Sequence, residues 1–242
     1  MSIVDLAILL AAGFAAGVVG YVTGIASLVS YPALLAVGLN PLSANVTNTV
    51  AMVAVGIGSF AKSGRTLTAD DGGRSLGLAS LMALGGGVVG AALLLLAPDG
   101  TFVFVVPYLV AVASLALLAQ PKLRSWIHQG QDRNRLWLIG VFIVAIYGGY
   151  FGAGAGVIFL ALAMIATTIP LWKATLLKSA LLGVANAVAA VAFMIFGPVH
   201  WAAAAAMGLG CLLGGWVGPP LVARLPAEPL RIAIGIGGLG LA

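Results

Sequence analysis

Charge is what this chain has least of: eleven Lys or Arg and six Asp or Glu in 242 residues, 7% of the sequence. Soluble domains carry about 25%. With 62% apolar residues and a mean hydropathy of +1.17, the chain has too little polar surface to be solvated as a globule. Cysteine occurs once, at Cys211 within an apolar run, which excludes a disulfide within the chain. No His/Cys/carboxylate cluster has metal-ligand spacing. A phosphate-binding loop for ATP and a Gly-x-Ser-x-Gly elbow are both missing. Neither an enzyme nor a resident metal or cofactor is expected.

What the chain has is apolar runs near the ~20 residues that cross a bilayer as helix. Ten segments fall near residues 3–22, 24–39, 44–61, 75–97, 101–119, 136–151, 153–169, 172–196, 201–223 and 232–242. No barrel-type alternation is seen, so the expected class is an all-α polytopic membrane protein. The segments at 24–39 and 153–169 are short, and either cross or re-enter. Met1 to Asp5 has no basic flank and no small-residue cleavage site follows, so the first segment reads as a span and not a removed signal.

If all ten cross, the basic residues sort to one side. Lys62, Arg65 and Arg74 join Lys122, Arg124, Arg133 and Arg135, then Lys173, then Arg224 and Arg231, and the opposite side receives none. That side is cytoplasmic by the positive-inside rule, which places Asp99 and His200 outside. Topology thus accounts for the net charge of +5, and no nucleic-acid partner is needed. Asp70-Asp71 and His128 read as solvated loop residues, and His200-Trp201 as an interfacial anchor.

The halves repeat in order. Residues 1–119 form a first repeat, 120–135 a cytoplasmic linker and 136–242 a second repeat. Gly20-Tyr21 is echoed by Gly149-Tyr150, each leading into a small-residue break, VTGIAS in one half and FGAGAG in the other. Five crossings per half imply inverted topology with broken helices near the midplane, the plan of many secondary transporters. The breaks centre on Thr23, Gly24 and Ser27, and on Gly152, Gly154 and Gly156. A helix that starts inside the membrane offers unpaired N–H groups to an anion; small residues also serve close helix packing.

One cation lies deep in an apolar stretch. Lys178 stands between Leu171 and Phe196, where an ammonium costs roughly 2.5–3.5 kcal/mol on insertion scales. Two readings stand: a functional cation, or a lysine snorkelling to the interface. Asn45, Thr47, Asn48 and Thr49 open the third segment, while Thr175, Ser179 and Asn186 share the eighth with Lys178. Asn45 either lines the site or caps its helix after Pro41. Together these groups form a donor-bearing surface without a carboxylate.

GGYFGAGAG, Ala174-Thr175 with Lys178, Asn186, Phe193 and Gly197, then Val199-His200-Trp201 and GGWVGPPLVARL, resemble the TauE/SafE sulfite exporter family, also called toluene sulfonate uptake permeases. In the first half Pro32 within LVSYPALLAVG and the Ala44 to Thr49 stretch match, though TGIAS replaces a richer glycine run. The resemblance implies a multi-pass transporter of the bacterial inner membrane that moves sulfite, thiosulfate or organosulfonates. Its partners would be a small anion and the bilayer; oligomeric state is not readable. The anion would bind Lys178, Asn48, Asn45, Thr49, Thr23, Gly24, Ser27, Gly152, Gly154, Gly156, Thr175 and Asn186. The rivals are a transporter or channel for another solute, and a membrane scaffold working through residues 62–74 and 120–135.

Overall fold

The computed structural model describes residues 1–23, 26–53, 74–98, 100–126, 133–169, 171–222, 232 and 236. Among them the secondary structure is helical, with no strand. Helix α1 (Ile3–Thr23) starts at a reciprocal cap: the Ser2 amide donates to Asp5 Oδ2 at 2.7 Å and the Asp5 amide to Ser2 Oγ at 3.2 Å. Then follow α2 (Ala26–Ala36), α3 (described over residues 41–53), α4 (Arg74–Leu96) and α5 (Thr101–Trp126). The second half holds α6 (Asn134–Tyr150), α7 (Ala155–Ala166), α8 (Leu171–Phe196) and α9 (Trp201–Val222).

The first nine expected segments are present as helices over their described residues, with two differences. Helix α5 runs on past residue 119 to Trp126, so the proposed linker begins as helix; hydropathy falls at Gln120, but the helical ladder continues without an apolar face. Helix α3 starts at residue 41, and its cap is Asn40, whose Oδ1 accepts from the Ser43 amide at 2.8 Å. Asn45 is therefore not the cap; it lies a turn further in. Most of the tenth segment, like Gly24, Asp70-Asp71, Asp99, His128, Arg224 and Arg231, lies outside the described residues; Ile232 and Ile236 are helical.

Helices α2 and α7 have 11 and 12 residues, about 16 and 18 Å, so neither crosses a ~30 Å core alone. Helix α7 leaves the break after α6 and returns to the start of α6, where the Arg133 amide donates to the Ala166 carbonyl at 3.0 Å. Arg133 and the start of α8 thus share one end, as the charge sorting expects for Arg133 and Lys173. At the other end, the His200 amide donates to Thr47 Oγ1 at 3.0 Å, which brings the exit of α8 to the entry of α3.

Glycines set the long helix pairs. A Cβ on Gly13 or Gly17 of α1 would collide with the carbonyl oxygens of Met207 or Cys211 on α9. A Cβ on Gly86 or Gly90 of α4 would do the same with Phe142 or Ile146 on α6. Both pairs run parallel, in one register: residues 13 and 17 lead to 142 and 146 by the 129-residue offset that separates Gly20-Tyr21 from Gly149-Tyr150, and 86 and 90 lead to 207 and 211 by 121. In the α1–α9 pair, α9 also supplies Gly210 and Gly214, against the carbonyls of Leu10 and Phe14.

Among the described residues Leu76–Leu96 and Lys173–Phe196 are long and apolar enough to cross a membrane, and 39% and 33% of their residues are buried within the bundle. Leu96, Phe104, Phe196 and Trp216 are exposed at 71–82%, a surface that suits lipid and not water. One buried core gathers Leu9, Tyr31, Phe151, Phe193 and Met207. A second gathers Trp137, Phe159, Leu177 and Leu181.

Candidate functional site

The second-half break is built by its own residues. Gly152 and Gly154 adopt φ of +79° and +73°, the left-handed region that other residues resist. Gly154 caps α7, and its carbonyl accepts from the Val157 amide at 3.0 Å. The Phe151 and Gly152 amides both donate to the Tyr147 carbonyl, at 2.9 and 3.0 Å, ending α6. The Tyr147 hydroxyl then donates across the break to the Ala153 carbonyl at 2.5 Å. Gly156 lies in the first turn of α7, behind the turn itself.

Two other helices reach this break. Asn45 Nδ2 donates to the Tyr150 carbonyl at 2.8 Å, from α3 to the last residue of α6. Asn186 of α8 lies on the opposite flank, its Oδ1 4.0 Å from where a Gly152 Cβ would stand. The Tyr31 ring of α2 packs edge-on against Phe151 at 5.4 Å. Both Asn45 Oδ1 and the Tyr31 hydroxyl are buried without a hydrogen-bond partner. A buried acceptor and a buried hydroxyl left open beside a helix break are uncommon, because each costs about 1–3 kcal/mol.

Asn48 is differently placed. Its Oδ1 accepts from Ser30 Oγ at 2.5 Å and its Nδ2 donates to Ser27 Oγ at 3.1 Å, fastening α3 to α2. Thr49 turns its hydroxyl back to the Asn45 carbonyl at 3.0 Å. Thr23 ends α1, and Gly24 is outside the described residues, so the first-half break is seen only from its two ends. The structure therefore gathers Asn45, Gly152, Gly154 and Asn186, and separately gathers Ser27 and Asn48.

Lys178 stands apart from both groups. It is 3% exposed, and Nζ has no hydrogen-bond partner. A snorkelled lysine keeps its head in water; this one does not. It follows Leu177 of the second core and precedes Asn186 by eight residues, about 12 Å along α8. Thr175 lies one turn before it, its carbonyl accepting from Ser179 Oγ at 3.1 Å.

Sequence reasoning missed Ser30, Tyr31, Tyr147 and Asn40. Ser27 and Ser30, three apart on a short apolar helix, were the readable signal for the partner of Asn48. Tyr147 had no sequence signal beyond its nearness to the glycines.

A helical bundle with apolar outer faces, a glycine break and a buried lysine defines an all-α membrane protein. The model of the family described as sulfite exporter TauE/SafE matches residues 9–242, and the chain belongs to that family. It is 27% identical over 243 residues to the Sinorhizobium "probable membrane transporter protein ORF9", covering 98% of this chain and 90% of that one. It is 30% identical over 214 residues to the Escherichia coli K12 "probable membrane transporter protein YfcA", covering 86% and 77%. No solved structure matches.

Proposed function

We propose that this chain is a multi-pass transporter of the bacterial inner membrane that carries small sulfur-containing anions (sulfite, thiosulfate or organosulfonates) by alternating access, with export the favoured direction. The observation that carries the reading is Lys178: a cationic side chain, 3% exposed, with no hydrogen-bond partner, inside an apolar core. An oxyanion supplies what that ammonium lacks, since charge-assisted hydrogen bonds to several acceptor oxygens offset the cost of burial. No Asp or Glu is among the buried polar residues described, which disfavours a cation as cargo.

Alternating access is supported by the matching registers of α1 with α9 and of α4 with α6. Two repeats that exchange roles give two such equivalent seams, and rocking one repeat against the other moves the anion between the faces. The voltage supports export: with the inside negative, about 2.3 kcal/mol per 100 mV drives a monoanion outward without a coupling ion.

Reconstituted vesicles test this directly. Saturable flux of sulfite, thiosulfate or 4-toluenesulfonate is expected, and Lys178→Ala should remove it while the variant purifies as a folded protein. Unchanged flux in Lys178→Ala would remove the lysine from the mechanism. Absence of flux for every such anion would return the choice to the scaffold or to another solute.

A further inference from the structure

A cavity of about 460 Å³ lies where α4, α6, α7 and α8 meet. It lies at the end where α7 stops at Ala166 and where α6 and α8 begin, and the Arg133 to Ala166 backbone bond ties the end of α7 to the start of α6. Arg133 and Asn134 form an exposed rim, and Ala79, Trp137 and Leu177 form a buried floor. The Trp137 ring is fixed edge-on against Phe159 at 5.4 Å. Among the described lining residues the one charged side chain is cationic, and no carboxylate is present. The floor residue Leu177 directly precedes Lys178 on α8, about 1.5 Å along the helix axis.

We propose that this cavity is the cytoplasmic vestibule of the transport path, an antechamber for small oxyanions and sulfonates with Arg133 as the recruiting cation at its mouth and Leu177 as the wall before Lys178. The volume falls within the range of small-ligand pockets, about 300–1,000 Å³, and a single positive charge at a low-dielectric mouth concentrates anions. The assignment rests on the orientation and cargo charge proposed above, but its test does not use transport.

The experiment places one cysteine at Thr167→Cys, and in a second variant at Leu76→Cys, after Cys211→Ala removes the single native thiol. Sealed vesicles of both orientations are treated with the sulfonatoethyl and the trimethylammonioethyl methanethiosulfonates. Modification from the Arg133 face of the membrane is expected, and topology reporters should identify that face as cytoplasmic. The anionic reagent should be favoured roughly fivefold over its ratio with a free thiol. Arg133→Gln should abolish that preference, and 4-toluenesulfonate should slow modification. Modification from the other face, or a charge-indifferent rate that Arg133→Gln leaves unchanged, overturns the vestibule. Intact flux in Lys178→Ala with this labelling present fails the lysine's role alone, and lost flux in Lys178→Ala with the labelling pattern absent fails the vestibule alone.

Discussion

Asn48 and Lys178 stand on α3 and α8, the second helix after each break, and they are almost equally buried, at 1% and 3%. Their surroundings differ completely. Asn48 has spent its amide on Ser27 and Ser30 and binds two helices together. Lys178 has spent nothing, since its Nζ meets no partner. Burial alone therefore does not separate a structural polar residue from a functional one; satisfaction does. A polar group that the fold has paired is part of the fold. A charged group that the fold has left unpaired is costly unless something else completes it.

The sharpest way to break this comparison is to replace each residue by an apolar one and measure stability. Lys178→Met should raise stability by about 2–3 kcal/mol, read as a higher melting temperature in detergent, because the cost of the buried ammonium disappears. Asn48→Ala should act in the opposite direction, lowering stability by about 1–3 kcal/mol, because the two side-chain bonds that tie α3 to Ser27 and Ser30 of α2 are lost. Equal signs for the two substitutions would dissolve the distinction. Gly154→Ala ranks next: a Cβ at φ +73° costs about 1–2 kcal/mol, and the site also meets Ala113 of α5 at 2.9 Å. Its melting temperature should fall, and more than that of Gly77→Ala, where a Cβ meets nothing. The smallest effect belongs to Tyr147→Phe, which loses the hydroxyl bond to the Ala153 carbonyl, about 1 kcal/mol, measurable as faster proteolysis or hydrogen exchange at residues 151–155.

Much of this architecture was legible because membrane helices write themselves in hydropathy. The limits of α4, α6, α8 and α9 differ from the expected segments by a residue or two, and two of the four positive-φ glycines described, Gly152 and Gly154, fall in the break read from FGAGAG. The continuation of α5 to Trp126 was not legible, since an apolar window stops where the bilayer does while a helix does not. The split between Asn45 and Asn48 was hidden for a related reason. Both are amides on one helix, and what divides them is tertiary: Asn45 meets a backbone carbonyl 105 residues away and keeps an open oxygen, whereas Asn48 meets two serines of α2. The eight-residue spacing put Lys178 and Asn186 on one face of α8 but did not give the lysine's distance from the break. That Asn186, and not the lysine, borders the glycines needed coordinates.

The account turns on whether an anion supplies the partner that Lys178 lacks. Equilibrium binding of radiolabelled thiosulfate and of 4-toluenesulfonate to the purified protein tests it, comparing the natural chain with Lys178→Met at matched folded fraction. Saturable binding of at least one of them by the natural chain, and none by the higher-melting variant, is the predicted result. The same affinity in both proteins would contradict it.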